Sequence, residues 1–403
     1  MSKMNNTYYR EYQHLMFKKH WRLSENCLFA LGQCDAIINT ICHVPIDPKI
    51  NSKLLKLSLN KGAQSTTAIE GNTLSYEEVE MVRKSEKLPP SKKYQEQEVK
   101  NILDAFTSLL KESVLKDRND LLSEGLLLNF HKMVGKDLGE NFEAIPGRFR
   151  ERDVIVGKYR CPDYRDVEGL INEFCNWQRE EFRFEEGKQG FKEAIIQAIV
   201  AHIYIEWIHP FGDGNGRTGR LVEFYILLRG GLPNIALHIL SNHYNDTRPE
   251  YYKQIEKATE KRDLSELIEY AVIGLRDGLE NTLRQIQEGM FDIAWKAYIY
   301  DAFSNIKGEL RGDAFKRKRK LALNFPPFEN ASAAQVPKLN TELAFIYAPL
   351  NQKTLTRDLD ELVEMEILLK ESNLYKANIF ALRPMMALTR KTNVIKSSDG
   401  TQG

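Results

Sequence analysis

The chain has 403 residues, 42% hydrophobic and 28% charged, with a formal net charge of +1. That composition excludes a wholly disordered chain and leaves room for two or three globular domains. The near-zero charge means that whole-chain electrostatics argues for no partner. There is no uncharged apolar run of about 18 residues and no basic-then-apolar leader, so a cytoplasmic location is expected. Cys27, Cys34, Cys42, Cys161 and Cys175 form no CxxC pair, and reduced thiols are expected.

Residues 1–60 read as mostly helical, with His14, His20 and His43 as surface or packing residues rather than ligands. In the stretch that follows, Thr66 and Glu70 are i and i+4 and share one helical face, and Gly71-Asn72 supply a helix stop. An acid at the C-terminal end of a helix opposes the macrodipole, which hints at a cationic partner for Glu70. Ser75-Tyr76-Glu77-Glu78 has capping-box spacing and opens a helix. Leu121–Leu138 reads as an amphipathic helix. Ile145–Gly157 is a β signal, with a Pro146-Gly147 turn, alternating Arg148, Arg150 and Arg152, and then Val154-Ile155-Val156-Gly157. A hairpin of two strands is marginal alone and must lie on something. Asp166–Arg183 follows as helix.

The apolar run Phe191–Ile208 has the periodicity of a buried helix, which Pro210 ends. His202 within it reads as a packed core histidine. A second apolar helix is read over Leu221–Leu228. Between them lies His209-Pro-Phe-Gly-Asp-Gly-Asn-Gly-Arg-Thr-Gly-Arg220. Gly212, Gly214 and Gly216 allow close approach of a ligand, and the helix N-terminus after them points unpaired N–H groups at an anion. Arg217 and Arg220, at i and i+3, place two guanidinium forks on one face. Asp213 is a hard oxygen ligand suited to Mg²⁺ beside phosphate, and His209 can accept a proton near neutral pH. These residues point to nucleotide-phosphate chemistry.

Tyr251–Glu260 and Leu264–Gly289 read as helices closing this core. Further on, Lys316–Lys320 is a basic run expected on the solvated surface. Asn340–Leu362 has the period of two short helices, followed by a strand pair at Ile367–Lys370 and Ala377–Leu382. From Gln352 to Glu366, Lys353 and Arg357 stand against Asp358, Asp360, Glu361, Glu364 and Glu366, a balance that repels nucleic-acid phosphates. The polar tail from Lys391 is expected to be disordered.

The run His209–Arg220 resembles the Fic motif, HPFx(D/E)GNGRxxR, at every defined position. Over roughly residues 60–275 the resemblance implies a mainly α-helical Fic core with a small β-hairpin flap. It implies AMP transfer from ATP to a Tyr, Thr or Ser hydroxyl of a target protein. Carried over by position, His209 would deprotonate that hydroxyl and Asp213 would bind Mg²⁺. Gly214, Asn215 and Gly216 would cradle the α- and β-phosphates, with Thr218 and Gly219 in the same ATP-binding run. Arg217 and Arg220 would hold the β- and γ-phosphates. Glycine rather than lysine at 216 favours AMP transfer over phosphorylation. Thr66, Glu70 and Gly71 fit the inhibitory pattern (S/T)xxxE(G/N), which implies a Glu70–Arg220 salt bridge that leaves ATP in a non-productive pose. Val154, Ile155, Val156 and Gly157 would form the flap that pairs with the target's backbone. Tyr251 and Tyr252 stand where a tyrosine pair flanks adenine. Thr259 replaces an asparagine of some relatives, so adenine selectivity does not carry over there.

The C-terminal residues resemble a winged helix-turn-helix module. The expected organisation is an N-terminal helical region at 1–118 with an inhibitory helix at about 60–71, a Fic core at 119–290, a winged-helix-like module at 291–390 and a tail at 391–403. Expected partners are ATP with Mg²⁺ and a target protein. A homodimer is compatible, DNA is not favoured over protein docking, and no membrane is involved. The competing functions are a DNA-binding regulator with a nucleotide-sensing Fic domain, transfer of a different nucleotide or phospho-group, and removal of AMP.

Overall fold

Ser24, Asp47 and Ser75 accept hydrogen bonds from first-turn N–H groups, starting α1 (Glu25–His43), α2 (Pro48–Ala68) and α3 (Tyr76–Arg83). Ser75 and Glu78 make both bonds of the expected capping box. The computed structural model describes residues 12–115, 122–182, 191–304 and 312–385, so Leu121, Arg183 and the tail at 391–403 lie outside the described residues. After the Pro89-Pro90 break come α4 (Lys93–Leu115) and α5 (Glu124–Val134), the latter capped by Gly135 and so ending short of Leu138. Then follow α6 (Val167–Glu181), α7 (Lys192–Ile208), α8 (Asn215–Arg229), α9 (Ile239–Asp246), α10 (Arg248–Lys261) and α11 (Ser265–Ser304). Among these, α9 has no counterpart in the expected helices, and two others differ in extent. α8 begins at Asn215 rather than Leu221, so Gly216–Arg220 are helical, and α11 runs on past Gly289.

The chain divides into two compact units, residues 1–285 and 286–403. The N-terminal helical region and the core after residue 119 therefore belong to one unit. At its centre is α7, buried on nearly every side. That all-round burial matches its all-round hydrophobicity, each buried Ile contributing about 1.5–3 kcal/mol. α8 packs along it, and Gly219 permits the contact, since a Cβ there would stand 2.6 Å from the His202 ring. α2 packs on α4 and α9. Four of the cysteines are buried and Cys42 is exposed, all of them free. No described helix is long and apolar enough to cross a membrane.

β1 (Ile155–Val156) and β2 (Tyr159–Arg160) pair antiparallel, Ile155 opposite Arg160. The hairpin thus starts later than the arginine alternation suggested. Arg148–Arg152 forms no strand, because Arg150 turns inward and is only 5% exposed. The hairpin has the support it needs: the Tyr159 hydroxyl donates to Trp207 O at 2.6 Å and meets His14 Nε2 at 2.7 Å.

The second unit contains α12 (Asp313–Asn324), β3 (Asn330–Ala331), α13 (Thr341–Tyr347), α14 (Gln352–Glu364), β4 (Leu368–Glu371) and β5 (Leu374–Ala377). Its antiparallel sheet has the order β3-β5-β4. The second strand of the expected pair lies earlier than Ala377–Leu382, because the chain reverses at Ser372 (φ 56°) and residues Ile379–Met385 form a 3₁₀ helix. Phe291, Trp295, Leu321, Leu355, Leu359 and Leu368 are among its core residues.

The basic run 316–320 is not simply solvated. Arg317 makes two bonds to Asp358, at 2.6 and 3.0 Å, Tyr347 donates to the same carboxylate at 3.0 Å, and Lys318 pairs with Glu361. Asp358 is 1% exposed, so removing it leaves a largely buried guanidinium unpaired. Asp358→Ala should destabilise this unit by roughly 3–5 kcal/mol. In hydrogen exchange of the full chain, protection should fall in α12–α14 and persist in α7 and α8; unchanged protection in α12–α14 would contradict this.

Candidate active site

His209 caps α7 in the left-handed region at φ 48°, and its N–H bonds Ile205 O at 2.8 Å. A non-glycine residue there carries about 1–2 kcal/mol of strain, so the surroundings must hold it. Arg150 does so. Its Nε donates to His209 O at 2.8 Å, its backbone N–H to Pro210 O at 2.9 Å, its Nη1 to Arg152 O at 2.9 Å and its Nη2 to Pro162 O. Arg150→Ala leaves three side-chain-bonded carbonyls without that donor, at about 1–3 kcal/mol for each buried group. The expected result is a melting temperature several degrees lower; an unchanged melting curve would remove Arg150 from this role.

The imidazole of His209 lines the cleft, with Nδ1 3.4 Å from Glu206 O. Burial lowers its pKa below the ordinary 6.5, against the Glu206 carboxylate that raises it. With Nδ1–H turned to that carbonyl, Nε2 is the nitrogen left to accept a proton.

The turn after His209 is closed from within. Asn215 Oδ1 accepts from Phe211 N and its Nδ2 donates to Phe211 O, both at 2.9 Å. His131 supports the turn from below, stacked on Phe211 at 3.7 Å between ring centroids. Its Nδ1 accepts from Gly147 N and its Nε2 lies against Asp213 O, each at 3.0 Å. Burial lowers the His131 pKa to about 4, so the ring stays neutral near pH 7. Gly214, at φ 80°, provides the left-handed N-cap of α8.

Glu70 stands on that helix N-terminus. α2 ends at Ala68, so Glu70 and Gly71 lie in its closing turn rather than in the helix. Glu70 Oε1 is 2.5 Å from Arg220 Nη2, which also donates to Thr66 O at 2.9 Å. A Cβ on Gly216 would lie 2.2 Å from the same carboxylate oxygen, so only glycine leaves it room. The carboxylate therefore sits where unpaired helix N–H groups would receive an anion. Arg220 is 2% exposed. Burial alone would lower its pKa, but the Glu70 carboxylate outweighs this and the net shift is upward.

His209, Glu70, Asp213, Gly214, Asn215, Gly216, Arg220, Tyr251 and Tyr252 line one cleft of 770 Å³. Val156 and Gly157 border it, with Lys158 and Tyr159, whereas Val154 and Ile155 do not. Tyr251 is buried against His202, its hydroxyl 3.2 Å from Nε2. The Tyr252 hydroxyl reaches Ile69 O at 3.3 Å. His202 is fully buried between Glu206 and Glu223, as a core histidine. Thr259 borders the cleft, but its hydroxyl donates to Ile255 O at 2.8 Å and accepts from Trp207 Nε1 at 2.7 Å. Thr218 and Gly219 do not line the cleft; Thr218 is fully buried and Gly219 faces His202. Arg217 does not line it either. Its guanidinium pairs with Glu98 and, at 2.7 Å, with Asp213 Oδ1.

Asp213 Oδ1 also accepts from Gly214 N at 2.5 Å, while Oδ2 has no protein partner among the described residues. No group of three or more His, Cys, Asp or Glu among those residues could hold a metal by itself. A single carboxylate with a spare oxygen beside this 770 Å³ cleft fits Mg²⁺, which takes one or two carboxylates plus phosphate oxygens and water.

Residues 121–227 match the Fic/DOC family. The chain is 32% identical over 195 residues to protein adenylyltransferase fic-1 of Caenorhabditis elegans, covering 48% of this chain and 35% of that protein. It is 27% identical over 229 residues to protein adenylyltransferase Fic of Nematostella vectensis, covering 57% and 50% respectively. The alignments thus span about a third to a half of these relatives' lengths. A Fic family protein from Desulfovibrio desulfuricans superposes with a TM-score of 0.55 at 18% identity, covering 89% of this chain and 98% of that one. Fic-1 of C. elegans gives 0.50 at 23% identity, over 65% of this chain and 72% of that one.

Proposed function

We propose that this chain, which carries a Fic/DOC family domain, transfers AMP from ATP to a hydroxyl side chain (Tyr, Thr or Ser) of a target protein and is held back by Glu70. The observation that carries this reading is the Glu70–Arg220 pair lying on the N-terminus of α8, in one cleft with His209. An anion site, a buried cation and a proton acceptor border one space, and the anion position is taken by the chain's own carboxylate.

With Glu70 withdrawn, the N–H groups of α8 and Arg220 bind the polyphosphate. His209 Nε2 takes the proton of the acceptor hydroxyl as its oxygen attacks the α-phosphorus. The bond from that phosphorus to the bridging oxygen breaks, and pyrophosphate leaves. Bound Mg²⁺, held by Asp213, would offset charge on the phosphate oxygens. Among the described residues β1 pairs only with β2, which supports pairing of its other edge with an extended target segment. The names of the relatives support AMP rather than another group.

For residues 286–403, the order helix, strand, two helices, hairpin supports a winged-helix-like module. Pairing of Arg317, Lys318 and Lys370 with carboxylates favours protein docking over DNA.

The test uses the Glu70→Gly protein with Mg²⁺ and ATP labelled at either the α- or the γ-phosphate. A cell lysate serves as acceptor. Label from the α-position alone should appear on protein. Label from the γ-position alone would replace this reading with phosphoryl transfer, and no label from either would overturn group transfer from ATP altogether.

A further inference from the structure

Glu98, in the first half of α4, is 7% exposed and does not line the cleft, yet it touches two parts of the machinery. Its Oε1 pairs with Arg217 Nη1, and its Oε2 accepts from Asn72 Nδ2 at 3.0 Å. Asn72 comes two residues after Glu70. Its amide also donates to Gln95 O, and its Oδ1 accepts from Leu74 N, each at 3.0 Å. Arg217 carries the connection onward to Asp213 Oδ1 at 2.7 Å, with its Cζ 5.5 Å from the Phe142 ring centroid. One buried carboxylate therefore joins the closing turn of α2 to the loop that presents Asp213.

Charge explains what that carboxylate does. A buried guanidinium needs a counter-charge, and Arg217 is 3% exposed. With Glu98 neutralising it, Asp213 gives Arg217 one oxygen and keeps the other. Without Glu98, the whole attraction of Arg217 falls on Asp213, and the loop becomes one unit more positive where a divalent cation must bind.

We propose that Glu98 is the positioning residue for the metal-binding carboxylate, acting through Arg217 and tying that arrangement to the turn that carries Glu70. The inference rests on the reading of the cleft as a Mg²⁺–ATP site.

Calorimetric titration with ATP, in Mg²⁺ and separately in EDTA, tests it in a Glu70→Gly/His209→Ala background that does not turn over. Adding Glu98→Gln should weaken ATP binding in Mg²⁺ by about tenfold, the lower end for residues that orient metal ligands. It should leave binding in EDTA unchanged. Glu98→Asp keeps the charge but withdraws it by one methylene, so it should show a smaller loss confined to Mg²⁺. It also carries the test if the glutamine variant does not fold. A loss equal in both buffers, or no loss in either variant, overturns the proposal. If the background protein itself binds ATP no better in Mg²⁺ than in EDTA, the underlying Mg²⁺–ATP reading fails instead.

Discussion

Replacing Glu70 by glycine is expected to raise transfer of the α-phosphate label by roughly two orders of magnitude. Arg220 is buried but the Glu70 side chain is 32% exposed, so breaking the pair costs about 3 kcal/mol, the low end for a buried pair, and each 1.4 kcal/mol is a factor of ten in an equilibrium. The wild-type cleft should therefore be open about one part in a hundred. The substitution also leaves Arg220 buried without its carboxylate. The variant should consequently melt lower than wild type alone and gain more stability from Mg²⁺ and ATP, since bound phosphate restores a counter-charge. Labelling no faster than wild type would mean that Glu70 is not the restraint.

His209→Ala, made in the Glu70→Gly background, should lower the transfer rate about 10²- to 10⁴-fold, the usual contribution of a general base. ATP affinity should change little, because the phosphate contacts come from α8. The pH profile gives a second readout. Burial depresses the His209 pKa, so its basic form persists below the ordinary 6.5. The acid limb of kcat/KM should accordingly fall below pH 6.5, with activity lost as pH drops through the lowered pKa. An acid limb above 6.5, or a His209→Ala protein as fast as its parent, would remove His209 as the base.

What could be foreseen from the chain was local. The turn from His209 to Arg220 carries its helix stop, glycines and charged groups within twelve positions, so spacing alone pointed to this stretch as a candidate anion site. The position of Glu70 at a helix end pointed to a cation, but its pairing with Arg220, 150 residues away, came from the resemblance and not from spacing. What could not be foreseen depends on distant partners. Arg150 secures His209 from 59 residues away, His131 supports Asp213 from 82, and Glu98 holds Arg217 from 119. No periodicity encodes such pairings. Arg148, Arg150 and Arg152 alternate as a strand would, yet the Arg150 side chain is drawn inward by three carbonyls, and the hairpin forms beyond it. Arg217 and Arg220 share helical spacing, but Glu98 draws the first out of the cleft lining.

If Glu70 restrains transfer as proposed, its carboxylate belongs to the same molecule as the site it fills and acts as a tethered competitor. Its effective concentration is a property of the fold, and dilution does not relieve it. Control then passes to local unfolding of one short turn. That turn is fastened by Gly71 N to Ala68 O at 2.9 Å, and from α10 by Arg248 to Ala68 O at 3.1 Å and Tyr252 to Ile69 O. On the proposed reading, fraying of these few residues would exchange the internal anion for a diffusible one.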